Sequence, residues 1–258
     1  MVNQLGYCAS EYEKFQTLRR PALDRLLQLI QRVPSPRILD LGCGSGDFTM
    51  EIARALSACS VCGVEPSLDM LSSALQKARA GFIFVPGEID TFETEEKFDL
   101  VVCNGVLHYS KNHAHVLRKM RSWLNPHGQV AIQLPANRDT WAISSGLELA
   151  DSPKFSAHLQ SFPKVSGALK IDEYARILHE LNFSEQVVRM EAHAHPLPSG
   201  EVQFQWLKQT FINGYQSHLP PAVSADFEAD YRSLFEREFP FSEPCLYVLK
   251  RLYIWAQA

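Results

Sequence analysis

The stretch from Arg37 to Thr49, RILDLGCGSGDFT, sets three glycines within five positions, between an apolar run and a segment with helical spacing of apolar residues. A backbone so bare at a strand-to-helix junction suits close approach by a ligand. Glycine removes the Cβ that would hold the ligand off, and it permits positive φ. The helix starting near Asp47 presents unpaired N–H groups at the same place. In a doubly wound fold that place is the carboxyl edge of the sheet, where strand order reverses and ligands bind.

Spacing and charge then narrow the ligand. A dinucleotide fingerprint reads G-x-G-x-x-G and receives pyrophosphate at the helix N-terminus. Here Gly42, Gly44 and Gly46 read G-x-G-x-G, with Asp40 two residues before the first glycine and Asp47 directly after the last. Carboxylates beside the loop disfavour pyrophosphate and suit a cation, which points to S-adenosylmethionine with its ammonium and sulfonium charges. Glu65, closing the next apolar run in VCGVEPS, is placed to accept both ribose hydroxyls. The plainer alternative is a tight turn with Glu65 as an ordinary helix cap.

The rest of the chain supplies a sheet for this loop. Apolar runs at 37–41, 60–64, 82–85, 98–102 and 129–134 alternate with helical patterns such as Phe48, Ile52, Ala55, Leu56 and Leu68, Leu71, Leu75, Ala78. A further helix is expected around Lys111–Leu124, followed by the turn NPHG. A helix at 171–181 and strands at 183–195 and 245–256 complete the set. Such alternation predicts an α/β fold with a doubly wound, mostly parallel, seven-stranded Rossmann-like sheet. Near the start, Pro21 followed by Leu23, Leu26, Leu27 and Ile30 predicts an amphipathic helix over 21–32, with the proline in its first turn.

Two stretches interrupt the alternation. Residues 135–170 read as irregular, and 196–243 read as helical, with seven acidic and three basic residues. Connections in compact domains usually run ~4–6 residues. The long excursions are therefore expected to form, with 1–35, a helical lid over the ligand edge of a single domain whose core is 36–134, 171–195 and 244–258.

With 258 residues, 46% hydrophobic and 21% charged, the chain can bury one core plus an elaboration. A net charge of −4 and a pI near 6.1 leave no basic footprint for nucleic acid or an anionic membrane. No basic-then-apolar leader opens the sequence and no run reaches the ~18 apolar residues of a membrane span, so a cytoplasmic protein is expected. Cys8, Cys43, Cys59, Cys62, Cys103 and Cys245 read as small core side chains rather than disulfides, and the one CxxC lacks a second ligand pair for zinc. No metal site is expected.

The segments ILDLGCGSGDFT, GVEPSLDML, FVPGEID, FDLVVCNGVLHY and LNPHGQVAIQLP together resemble the successive motifs of class I S-adenosylmethionine-dependent methyltransferases, over residues 37–135. YEKF with RRPALDRLL near the start, then HPLPSGEVQFQWLKQT, FEADYRSLFEREFP and LKRLYIWA, are similar to the trans-aconitate methyltransferase group in particular. The resemblance implies that Asp40, Gly42, the Cys43 backbone, Gly44 and Gly46 hold the methionine part, and Glu65 the ribose. It places Pro66 and Met70 against the adenine, Glu88 near its amino group, Ile89 as a backbone donor and Asn104 beside the sulfonium. Arg20 is the candidate for the cofactor carboxylate, although LRRP follows the Phe one residue sooner than is usual in the group.

Methyl transfer is an in-line displacement, so alignment and exclusion of water come first. A carboxylate acceptor, with pKa ~4, is already an ionised nucleophile. A phenol, alcohol or ammonium needs a base, for which His108 after the fourth strand is the candidate; its alternative role is a polar pocket wall. Tyr12, Phe15, Trp141, Trp206, Phe211 and Tyr215 are candidates to line an apolar acceptor pocket. Where the trans-aconitate group typically reads TGLRPWL, this chain has TFINGYQ, with Asn213 and Gly214 replacing an Arg-Pro pair. An acceptor with three carboxylates calls for fixed cations, and Arg138, Arg118 and Lys164 are candidates to compensate.

The expected activity is therefore O-methylation of a small organic acid. An acyl group on an acidic carrier protein, a natural-product phenol, and S-adenosylmethionine binding without transfer are the alternatives.

Overall fold

A computed structural model describes residues 16–160 and 167–258, with side chains from residue 18 onward. The described chain divides into two compact units. Residues 17–136, 167–191 and 250–258 form a sheet unit, and 137–160 and 192–249 a helical unit. Tyr12, Phe15, Cys8 and Lys164 lie outside the described residues.

The strands are β1 (Arg37–Leu41), β2 (Ser60–Glu65), β3 (Phe82–Pro86), β4 (Phe98–Asn104), β5 (Leu124–Pro135), β6 (Glu185–Leu197) and β7 (Cys245–Gln257). They make one sheet in the order β3-β2-β1-β4-β5-β7-β6. The first five pair in parallel and β7 runs antiparallel to β5, so the expected mostly parallel, doubly wound sheet is present. Strand order reverses beside β1, where β2 and β4 flank it on opposite sides, and the glycine loop leaves β1 at that switch point.

The sheet unit's helices are α1 (Gln16–Leu27), α2 (Asp47–Leu56), α3 (Leu68–Leu75), α4 (His113–Ser122) and α6 (Ile171–Glu180). Leu23 and Leu26 of α1 and Ile52 and Ala53 of α2 bury one sheet face with Ile38, Leu100, Val102, Ala131 and Tyr253. Val116, Leu117 and Met120 of α4 and Tyr174 and Leu178 of α6 bury the other with Leu39, Val101, Val130 and Ile132. Both faces being covered is why these strands read as nearly unbroken apolar runs.

Three expectations change. Pro21 lies inside α1 rather than in its first turn, and the helix ends at Leu27, where Leu29 and Ile30 bond back by three residues. The 3.6-residue stripe of leucines outweighs the one backbone donor that proline lacks. This segment, grouped with the lid in the sequence reading, packs in the sheet core. NPHG is not a turn between elements but an excursion within β5. Phe98 pairs with Leu124 and Leu100 with Gln129, so the residues between bulge out, with His127 at φ 63°.

Within 135–170, which reads as irregular, lies α5 (Trp141–Ala150), with Ser144, Ser145 and Gly146, poor helix formers, at its centre. Its Gly146 is needed because an added Cβ would fall 2.3 Å from the Phe211 ring. The helical unit also contains α7 (Gly200–Leu207), a π-turn (Lys208–Ile212), α8 (Asn213–Gln216) and α9 (Pro221–Glu238). Its core is aromatic, with Phe204, Phe227, Tyr231 and Phe235 fully buried.

Candidate functional site

At the carboxyl end of β1 the chain turns through Gly42, Gly44 and Gly46, all left-handed at φ 78°, 57° and 82°. Gly42 is fixed by packing: a Cβ there would lie 2.2 Å from Val106. Gly44 is different, because an added Cβ would meet nothing within 4 Å. Gly46 is the N-cap of α2, and it offers no side chain to the first-turn N–H groups. The Cys43 backbone is already engaged, donating to the Val64 carbonyl at 3.0 Å and accepting from the Gly46 N–H at 3.0 Å.

Two buried carboxylates stand at this turn. Thr49 of α2 donates its hydroxyl to Asp40 at 2.5 Å. Burial pushes the Asp40 carboxyl up to about 6, opposed by the Thr49 bond and reinforced by the Glu65 charge. Glu65 accepts the Gly44 N–H at 3.0 Å through one oxygen and the Ser67 N–H at 2.9 Å through the other. Burial raises its pKa as well, and those two N–H bonds pull it back. Each oxygen retains a second lone pair for a further donor.

Asp47, the second acid next to the loop, differs. It accepts from Ser45 and pairs with Lys77 at 3.3 Å, so its charge is met within the protein. The cation-attracting pair is Asp40 with Glu65, not Asp40 with Asp47.

Further around the edge, Met70 is buried on α3, whose N-cap Ser67 accepts the Met70 N–H at 3.4 Å, and Pro66 is exposed. After β3, Glu88 is exposed, its carbonyl receiving the N–H groups of Thr91 and Phe92, while Ile89 packs on the sheet core. Asn104 ends β4, its Oδ1 buried with no hydrogen-bond partner. Gly105 follows at φ 73°, and the short helix Leu107–Tyr109 then carries His108. His108 Nδ1 is shielded and without a partner. Burial holds this imidazole down to about 3, helped by the positive charge of Arg251 and by His113, so it is neutral over the physiological range.

The remaining candidates fall elsewhere. Arg20 pairs with Asp24 at 2.8 Å and with Glu51, so its guanidinium is already engaged by two carboxylates of α1 and α2. Arg19, the neighbouring cation in LRRP, is buried. Trp141, 37% exposed, packs against Phe235 and Phe239 in the helical unit. Trp206 and Tyr215 are buried in that unit, Tyr215 stacking on Phe227 at 5.4 Å. Arg118 and Arg138 are exposed. Of the cysteines, Cys43 and Cys103 are buried, whereas Cys59, just before β2, is exposed rather than a core side chain.

Among the described residues no cluster of His, Cys, Asp or Glu is arranged to hold a metal ion, and no helix is long and apolar enough to cross a membrane. Sequence reading also passed over Thr49, Ser67, Gln133 and Arg251. The last two were visible as polar letters inside the apolar runs VAIQL and LKRLYI.

A mostly parallel sheet with a side-chain-free loop at its switch point and two buried carboxylates beside it is the arrangement with which Rossmann-like folds receive a nucleoside cofactor. Residues 33–182 match the methyltransferase domain family, and the chain belongs to it as an S-adenosylmethionine-dependent methyltransferase. It is 30% identical over 236 residues to a trans-aconitate 2-methyltransferase of Deinococcus radiodurans, covering 89% of this chain and 90% of that one. Its fold is similar to that of the YcgJ protein of Bacillus subtilis, with a TM-score of 0.61 at 13% identity over 92% of this chain and 98% of the other. It is also similar to an S-adenosylmethionine-dependent methyltransferase of Mesorhizobium loti, with a TM-score of 0.51 at 17% identity, over 92% and 96% of the two chains.

The residues at the loop fit this cofactor. Gly44 leaves open space, and the groups that act on the buried Asp40 and Glu65 include no cation among the described residues. A ligand cation would offset the cost of burying them.

Proposed function

We propose that this enzyme O-methylates a carboxylate of a small organic acid of the trans-aconitate kind. The observation that carries the reading is His108. The ring at the expected ligand edge is held neutral and weakly basic, so it is poorly suited to take a proton from a phenol, alcohol or ammonium. A carboxylate needs no such help, because it is ionised at neutral pH. The relationship to a protein named trans-aconitate 2-methyltransferase supports the same acceptor class.

In this reading the bound cofactor supplies a methyl group on a cationic sulfur, and the chain supplies position and charge. Asp40, with the loop Gly42–Gly46, would hold the methionine part, and Glu65 the ribose. Pro66 and Met70 would flank the adenine, Glu88 and Ile89 would meet its edge, and Asn104 would stand on the side of the sulfur. His108 is a neutral wall. A carboxylate acceptor would take that methyl group as an ester with no proton to move, so the chain's part is to align the acceptor and keep water out. A carrier-borne acceptor gains no support, since α9 is itself acidic, as such carriers are.

The test is incubation with S-adenosylmethionine and trans-aconitate, propane-1,2,3-tricarboxylate, a phenol and an alkylamine, with S-adenosylhomocysteine and product masses as readouts. Methyl esters of the acids are expected. Transfer confined to the phenol or the amine would overturn the proposal.

A further inference from the structure

On the sheet face covered by α1, side chains change character toward the carboxyl edge. Strand residues two apart share a face. Two residues beyond the apolar Ile38, Val102 and Ala131 stand Asp40, Asn104 and Gln133. On the antiparallel β7, two residues before Tyr253, stands Arg251. Register places Asn104 opposite Gln133, Gln133 opposite Tyr253, and Pro135 opposite Arg251, so these groups form one strip on adjacent strands.

Several features of this strip are not those of ordinary packing. Gln133 is 2% exposed and its Nε2 has no partner. Asn104 Oδ1 is also buried without one. Gln129, four residues earlier on the same strand face, is as buried yet has partners at both polar atoms: its Oε1 accepts from Trp255 Nε1 at 2.7 Å and from the Gln31 N–H, and its Nε2 donates to the Gln31 carbonyl. Arg251, 7% exposed, stands on the neighbouring strand β7 opposite Pro135, and its charge acts on His108 and Tyr253. A buried amide donor without an acceptor costs stability unless something else uses it.

We propose that Gln133 and Arg251 form the acceptor subsite, receiving a carboxylate of the methyl acceptor through the Gln133 amide and the Arg251 guanidinium, with Asn104 Oδ1 at its boundary toward the cofactor. This rests on the carboxylate reading above and supplies a fixed cation at a position other than the lost Arg-Pro pair. Arginine suits the task because its planar fork matches a carboxylate.

The test uses the full chain with trans-aconitate and propane-1,2,3-tricarboxylate as acceptors, and calorimetry with S-adenosylhomocysteine as the independent control. Arg251→Gln is expected to raise the KM for both acids by about tenfold to a hundredfold. Arg251→Lys should recover only part of that, and cofactor affinity should stay within about twofold, below what a lost hydrogen bond would give. Gln133→Leu keeps the volume and removes the unpaired donor, so its unfolding midpoint without ligands is expected at or above that of the native protein while its acid KM rises. A role confined to packing would give the reverse pattern.

Normal acid KM values in Gln133→Leu and in a folded Arg251 variant would overturn the inference while leaving carboxylate methylation intact. A native enzyme that methylates neither acid nor any other carboxylate tested removes both.

Discussion

At the scale of single residues, the loop glycines separate two jobs. Gly42 is constrained by Val106, so Gly42→Ala should destabilise the fold by at least ~1–3 kcal/mol from backbone strain and overlap. Gly44→Ala carries only the left-handed penalty of ~1–2 kcal/mol, because its Cβ enters open space. Denaturant melts together with calorimetry should show Gly44→Ala losing far more affinity for S-adenosylmethionine than stability.

Asp40 makes a pH prediction. Its carboxyl titrates at about 6 when folded and near ~3.9 unfolded. Between those values the folded chain holds more protons, so ligand-free stability falls as pH rises from about 4 to about 6, by about 3 kcal/mol. Asp40→Asn should lose that share of the slope and be no less stable at pH 7, yet bind the cofactor more weakly. Urea titrations at pH 5 and 7.5 measure the difference. His108→Ala should keep the methylation rate within about tenfold, because loss of a working base costs ~10²–10⁴-fold. A loss in that larger range, measured at saturating acid, would restore His108 as the base.

At the scale of elements, α1 shows how packing overrides a local rule. Pro21 inside the helix removes a backbone bond, but Leu23 and Leu26 are fully buried between α1 and the sheet. Leu26→Ala is therefore expected to cost ~2–5 kcal/mol, a core value rather than the loss expected of a peripheral flap. Chemical denaturation checks it, and a cost under about 1 kcal/mol would return α1 to the periphery. The same element level explains the β5 excursion. NPHG carries every letter of a turn, and only pairing on both sides of it, Phe98 with Leu124 and Leu100 with Gln129, keeps it within one strand.

For the whole molecule, ligand linkage is the informative measurement. A ligand that binds only the folded chain at a hundred times its Kd adds about 2.7 kcal/mol of stability. S-adenosylhomocysteine should raise the thermal midpoint in a concentration-dependent way, and NAD at the same concentration should not. An equal shift with NAD would contradict the cofactor choice drawn from Asp40 and Glu65.

The strand–helix alternation, the glycine loop and Glu65 were legible in the sequence because they are local. Period, bareness of backbone and an acid at a strand end are properties of a few consecutive letters. What tertiary structure decided is pairing at a distance. Asp47 loses its claim on a ligand cation to Lys77, thirty residues on, and Arg20 spends its charge on Asp24 and Glu51. Trp206 and Tyr215 become core. Gln133 and Arg251, lying more than a hundred residues apart, come onto adjacent strands because β7 inserts antiparallel beside β5. Whether a polar side chain is satisfied depends on neighbours that only the folded sheet brings within a hydrogen bond's reach.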